Sequence, residues 1–367
     1  MSQTFKRGEH PDLPPPVDPG TFSGWARENL FSSALSSLIT VGLSLFIAWV
    51  TFHALKWGVV QADFFGGSFK DCTSAGACWA VATARFPQYW FGFFYPAESY
   101  WRVILAVVLL VPAVLPWLSE TVPYRSILKR FSLFYPLIAL WLLYGGAGLQ
   151  IVETDKWGGF VLTLIIGVVG IVASLPIGIL LALGRRSQMP VVRTLCIVFI
   201  EFVRGVPLIT VLFTASVLLP LFLPEGMDFN KLLRVLIMVS LFAAAYMAEI
   251  IRGGLAAIPP GQEEAARALG LSYWQTMFQI VLPQALRIVI PGIVSSFIGL
   301  FKDTSLVAIV GLYDLLGLTQ AVLKETGWLG VKIEAYVFIG LIYWICCYSM
   351  SVYARRLEAR LDTGRND

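Results

Sequence analysis

The chain has 367 residues, of which 57% are hydrophobic and only 14% charged, and its formal net charge is +4. A soluble domain is nearer half apolar and a quarter charged, and here the apolar residues come in runs of about twenty, enough to cross ~30 Å of hydrocarbon. Those proportions exclude a soluble globular fold, and so small a charge, with no basic patch interleaved with aromatics, argues against nucleic acid as a partner.

Residues 1–30 are polar and proline-rich, with Pro14, Pro15 and Pro16 lacking backbone donors, and read as a disordered tail. Ser33–Leu55 is the first apolar run. It starts too late and runs too long for a signal peptide, and no small-residue cleavage site follows, so it is expected to stay as a span. Residues 56–100 form a polar, aromatic-rich loop. In it Cys72 and Cys78 bracket a small-residue stretch; five intervening residues allow a disulfide where the compartment is oxidising. Trp79, Tyr89, Trp90, Tyr95, Tyr100 and Trp101 crowd the same loop, as an aromatic belt at the headgroups or as a contact surface for a partner.

Further spans are expected near Trp101–Leu118, Phe131–Leu149, Gly158–Leu183, Thr194–Leu219, Lys231–Ile251, Ile288–Val310 and Ala335–Tyr353. The fold class is therefore an all-α polytopic membrane protein with about eight transmembrane helices. With both termini inside, the cytoplasmic segments hold most of the basic residues, among them Arg125, Lys129, Arg130, Arg185, Arg186, Arg355 and Arg356. The positive-inside rule thus puts both termini in the cytoplasm.

The segment between the sixth and seventh spans carries the most specific signal. Residues 260–283 set Ala265, Ala266 and Leu269 on one helical face and Glu263, Glu264 and Arg267 on another. Gly270 interrupts the pattern, and a second amphipathic run extends from Ser272 to Val281 before Pro283. The reading is helix, glycine turn, helix, lying at the membrane surface. Gly270 supplies a positive φ at little steric cost, Glu264 lies in the first turn and meets the helix dipole or a basic partner, and Ala265 and Ala266 permit close approach.

The spacing Glu264-Ala265-Ala266, Gly270, Ile280-x-Leu282-Pro283 matches the EAA signature of ABC importer permeases. The runs from Gly158, at 201–208, 248–270 and 302–306 resemble permeases of the polar amino acid ABC importers, the histidine- and glutamine-type group. That resemblance covers Gly158 to Leu357 and implies a five-helix permease core at 156–357 with its EAA loop at 260–283. The preceding region, 31–155, holds extra N-terminal spans and their loop, and resembles the M-type permease subunit of general L-amino acid importers. Residues 358–367 form a charged cytoplasmic tail. The implied function is a transmembrane permease subunit, in the bacterial inner membrane, that carries L-amino acids from periplasm to cytoplasm. The resemblance implies a sister permease, with a homodimer as fallback, a cytoplasmic ABC ATPase dimer and a periplasmic amino-acid-binding protein. Gln262, Glu263, Glu264, Ala265, Ala266, Arg267, Gly270, Leu282 and Pro283 would couple to the ATPase.

No GxxxxGK[ST] phosphate loop is present, and His10 and His53 cannot assemble a metal site with any cysteine pair. No cofactor is expected on this chain; ATP and Mg would reside on the ATPase. The alternative is a stand-alone secondary transporter or channel for small polar solutes, against which stand the EAA loop and unequal halves. Charges inside spans are the remaining candidates. Lys302, about fifteen residues beyond Arg287, should sit roughly 22 Å along its helix, with Asp303 beside it and Thr304 and Ser305 placed to cap a local break. Arg204 lies roughly 15 Å into the fifth span, near Gly205 and Pro207, and Glu201 shares its face. Either Asp303 meets a substrate ammonium while Arg204 or Lys302 meets the carboxylate, or Glu201–Arg204 and Lys302–Asp303 are ion pairs holding spans together.

Overall fold

The computed structural model describes residues 21–119, 121–222, 224 and 229–362. Among them there is no β-strand, only isolated bridges between helices and loops. Seven helices are long and apolar enough to cross a membrane, and a bent pair makes an eighth if it is counted as one span. The chain divides into two compact units, Met1–Phe64 with Cys72–Cys78, and Phe65–Asp71 with Trp79–Asp367.

In the first unit, the Thr21 side chain accepts the Gly24 N–H at 3.3 Å and starts α1 (Phe22–Asn29). The expected disordered tail is thus corrected over residues 22–29, where a capped turn and the stacked Phe22–Trp25 pair favour helix; residues 1–20, with His10, lie outside the described residues. Ser33 caps α2 (Ala34–Leu55), none of whose residues is buried. A helix apolar on every side and uncovered by protein has the surface of a lipid-facing span. The disulfide Cys72–Cys78 spans 5.8 Å between Cα atoms. Within the loop it closes, Ser74 donates to the Asp63 carboxylate from its backbone N–H at 2.9 Å and its hydroxyl at 2.8 Å. These bonds hold Asp63 below the usual carboxylate range.

The second unit begins with α3 (Ala80–Ala84), α4 (Phe86–Phe91), α5 (Tyr100–Leu118) and α6 (Arg125–Tyr144). The α6 helix ends before the expected Leu149 because Gly145, at φ 94°, leaves the helical region. The aromatic loop is not chiefly a headgroup belt. Tyr89 and Tyr95 are buried, Trp90 meets Phe160 edge-on at 5.1 Å, and Phe91 stacks on Tyr100 at 4.0 Å. Helix α4 turns Tyr89, Trp90 and Phe91 onto Phe338, Phe160 and Tyr100 of other helices, and Trp101 is left exposed. Buried Arg102 donates to the Gln150 carbonyl at 2.8 Å and to the Ser99 hydroxyl, and so needs no counter-charge to satisfy its donors there.

Beyond residue 155 come α7 (Gly159–Arg185), α8 (Pro190–Gly205), α9 (Leu208–Phe213) and α10 (Lys231–Ala256). They are followed by α11 (Pro260–Ala268), α12 (Tyr273–Thr276), α13 (Leu282–Asp303), α14 (Leu315–Val322) and α15 (Lys332–Asp362). The expected tail therefore starts as helix, and residues 363–367 lie outside the described residues. One apolar cluster joins Val103 of α5 and Leu142 of α6 to Ile166 of α7, Val239 of α10 and Leu300 of α13. The helices α5 and α6 thus share one core with α7, α10 and α13. α10 sits between α7 and α13. A Cβ on Gly178 of α7 would lie 2.7 Å from the Met247 Cβ, and one on Gly254 of α10 would lie 2.6 Å from the Ala285 carbonyl oxygen. Small residues at these crossings let the backbones approach closely, the main attraction open to helices in lipid.

Asp314 caps α14. Its fully buried carboxylate accepts from the Gly317 N–H at 2.9 Å, the Leu316 N–H at 3.2 Å and the Tyr343 hydroxyl at 3.3 Å. Burial outweighs those bonds and pushes its pKa up to about 6. Folding therefore takes up a proton between the unperturbed value of 3.8 and about 6, and stability from this group is lost as pH rises through that window. Thermal unfolding in detergent should show the decline, and Asp314→Asn, which keeps a capping oxygen, should remove that component. Superimposable pH profiles for the two proteins would refute it. Peptide mapping without reductant should recover Cys72 joined to Cys78; alkylation of both under native conditions would contradict the bond.

Candidate functional site

The helix α11 opens with Pro260 at its first position, where a missing N–H costs nothing. Glu263, not Glu264 as the sequence suggested, occupies its first turn. Glu263 binds Arg186, the C-cap of α7, at 2.9 Å and Arg267 one turn on at 3.7 Å. Of the expected apolar face only Ala266 is buried; Ala265 is exposed and Leu269 is 79% exposed. The helix touches the bundle along one narrow line, so most of its surface stays open.

The turn at Gly270 has φ 79°. The Gly270 N–H donates to the Arg267 carbonyl at 2.9 Å and the Leu271 N–H to the Ala266 carbonyl at 3.1 Å. This pair of bonds is a Schellman motif, which needs a left-handed residue at that position. Ser272 then starts α12 with a capping box: its side chain accepts from the Gln275 N–H, and the Gln275 side chain accepts the Ser272 N–H at 2.9 Å. The second run does not stop at Pro283. A π-helical turn, Met277–Val281, leads straight into α13, with Leu282 buried and Pro283 at the second position of that helix. The π turn replaces the regular hydrogen bonds just where proline has no N–H to give. Gln262 is tied to this junction by the Gln284 amide at 3.3 Å.

The expected fifth span is broken. Val206 and Pro207 are extended, and the axes of Pro190–Gly205 and Leu208–Phe222 differ by 104°. Pro207 lacks a donor and drives the residue before it out of the helical region, and Gly205 lowers the cost of stopping there. The break opens a cavity of about 590 Å³ bordered by Arg204, Pro207, Tyr246, Ser296, Gly299 and Asp303, among others. Two of the expected intramembrane charges, Arg204 and Asp303, thus meet at one cavity, whereas Glu201, Lys302, Thr304 and Ser305 do not line it. Lys302 is exposed. Among the described residues neither Lys302 nor Asp303 forms a salt bridge, so the expected Lys302–Asp303 pair is absent. The helix α13 ends at Asp303 and continues as a 3-10 turn in which Thr304 and Ser305 hydroxyls donate to the Phe301 and Lys302 carbonyls at 2.7 and 2.8 Å. They back-bond the helix they follow instead of capping a new one.

The Arg204 guanidinium lies over the Tyr246 ring at 5.7 Å, and its Nε is buried without a hydrogen-bond partner. It sits 3.9 Å from Glu201 and 3.7 Å from Glu249. Arg185 approaches the same carboxylates at 2.8 and 3.4 Å, and Arg252 grips Glu249 at 2.6 Å.

Residues 174–363 match the family described as binding-protein-dependent transport system inner membrane component. The chain belongs to that family. It is 50% identical, over 97% of both chains, to the inner membrane amino-acid ABC transporter permease protein YhdY of Escherichia coli (strain K12). It is 44% identical, over 95% of both, to the glutamate/glutamine/aspartate/asparagine transport system permease protein BztC of Rhodobacter capsulatus. It is also 37% identical to the probable glutamine ABC transporter permease protein GlnP of Bacillus subtilis, over 56% of this chain and 92% of that one.

The permease is accordingly a multi-pass inner-membrane transport subunit. Its sequence hid three participants of the charged site. Glu249 and Arg252 stand one turn apart on α10, and Glu249 also reaches Arg185 and Arg204. Arg185 read as a topology marker at a span's end. The i, i+3 spacing of Glu249 and Arg252 was the available signal; their meeting with Arg185 depends on helix packing alone.

Proposed function

We propose that this permease is one subunit of an importer that carries L-amino acids from the periplasm to the cytoplasm. The observation that carries the reading is the exposed helix–Gly270–helix loop with the EAA spacing, in a member of the binding-protein-dependent transport family. Amino-acid cargo follows the names of the relatives that span nearly the whole chain. The loop faces the cytoplasm with both termini, and an ABC ATPase dimer docks on it. Leu269, Tyr273, Trp274 and Phe278, each at least half exposed, supply apolar contact area of the kind an interface buries. Gln262, Glu264, Ala265 and Arg267 of α11 are exposed beside them. ATP and Mg belong to the ATPase, while a sister permease completes the pathway and a periplasmic binding protein delivers the substrate.

A zwitterion leaving water needs both of its charges compensated. Arg204 supports the carboxylate and Asp303 the ammonium, since both border the cavity and neither is fully neutralised by a close partner. ATP-driven closure of the ATPase moves α11 and α12 and switches access to that cavity.

Gly270→Val forces a β-branched residue to a positive φ. It should weaken ATPase association or abolish stimulation by the binding protein while the permease still inserts, and normal stimulation in an assembled complex would remove the loop from coupling. Asp303→Asn, reconstituted with the sister permease, ATPase and binding protein, should cut uptake about tenfold or more, the worth of a charged hydrogen bond out of water. Uptake at native affinity would take Asp303 out of the pathway.

A further inference from the structure

The end of α7 places its last residue, Arg185, beside its C-cap, Arg186, and they face different partners. Arg186 holds Glu263 of the docking helix at 2.9 Å. Arg185 holds Glu201 at 2.8 Å and Glu249 at 3.4 Å. These are the same two carboxylates that flank Arg204 at the cavity, and Arg204 receives their longest contacts, 3.9 and 3.7 Å. Three arginines therefore share two glutamates. Arg252 takes one oxygen of Glu249 with two donors, at 2.6 and 2.9 Å, and Arg185 takes the nearer oxygen of Glu201. Arg204 is the under-compensated cation of the set, and its buried Nε has no partner.

We propose that Arg185 and Arg186 are positioning residues that tie the docking helix to the positive charge presented to the cavity. The proposal rests on the reading of α11 as the ATPase-docking element and of the cavity as the substrate's. When Arg185 holds the carboxylates, Arg204 keeps its charge for a substrate carboxylate. When α11 moves, Glu263 draws on Arg186 and with it the end of α7; Arg185 lets go, Glu201 and Glu249 turn to Arg204, and the substrate carboxylate is displaced. Each contact is short-range and discrete, as a link with two arrangements requires. The carboxylates act as internal substitutes for the ligand, so Arg204 has an anionic partner in either arrangement.

The test uses the complete importer in vesicles, with sister permease, ATPase and binding protein. It measures amino acid accumulated per ATP hydrolysed, with whichever member of a radiolabelled panel headed by L-glutamine the wild type accumulates. Arg186→Gln should lower that ratio about two- to fivefold, the span of one partly exposed ion pair. Arg186→Lys should restore most of it, and the charge swap Arg186→Glu with Glu263→Arg should recover at least half. Arg185→Gln combined with Arg186→Gln should cost no more than the larger single loss, since both cut one path. An unchanged ratio in the assembled Arg186→Gln complex, an unrecovered charge swap, or additive losses would overturn the link. Absence of uptake of every panel member by wild-type vesicles would instead overturn the amino-acid reading, and the link with it. Loss of binding-protein stimulation in Gly270→Val beside an unchanged ratio in Arg186→Gln would retain docking and reject the link.

Discussion

Gly178 leaves Met247 and Ala244 of α10 a space against α7 that any side chain would fill, and the charged end of the bundle depends on that approach. Were the two helices set apart by even one methyl group, Arg185 at the end of α7 would move away from Glu249 on α10. Between helices in lipid there is little hydrophobic force to restore such a gap, so contact area and interhelical polar bonds must hold it. The same constraint recurs at Gly254 against Ala285. The two crossings fix α10 between its neighbours, and α10 carries Tyr246, Glu249 and Arg252 at positions that meet α8 on one side and α7 on the other.

The break at Val206–Pro207 has the opposite character. It gives up regular backbone bonding within an apolar sequence, which is tolerable only beside protein or a polar cavity. The cavity formed there gathers Arg204, Ser296 and Asp303 from α8 and α13. A continuous fifth helix would have left Arg204 on a lipid-facing or packed surface, with its charge spent on structure. The turn is therefore what sets Arg204 at the border of a cavity instead of within a helix packing face.

Much of this was readable in the chain. Runs of apolar residues mark the spans, and the EAA spacing marks the helix–turn–helix loop down to its glycine, because a left-handed turn has a narrow residue requirement. Ser272 and Gln275 spell a capping box, which apolar periodicity alone does not reveal. What escaped was set by packing across the sequence. Proline at 283 suggested a stop, yet a π turn carries the helix through it. Lys302 and Asp303 read as a pair because they are neighbours in sequence, but only Asp303 borders the cavity. The aromatic loop suggested a headgroup belt, and burial of Tyr89 and Tyr95 depended on partners contributed from elsewhere in the bundle. Periodicity put Ala265, Ala266 and Leu269 on one face without saying which of them meets the bundle, and in the nine-residue surface helix only Ala266 does.

From Tyr273 the backbone winds without a break through the π turn and α13 to Val310, a run of 38 residues. The second arm of the Gly270 loop and the wall of the cavity consequently belong to one helical run. No loop lies between Trp274 and Ser296 or Asp303; only the π turn with Pro283, and Pro291, interrupt the regular helix there. The helix α11 lacks that direct connection and works through Ala266, Glu263 and the hydrogen-bonded elbow at Gly270. The loop thus has one stiff arm and one jointed arm, and torque from a partner would be divided unequally between them.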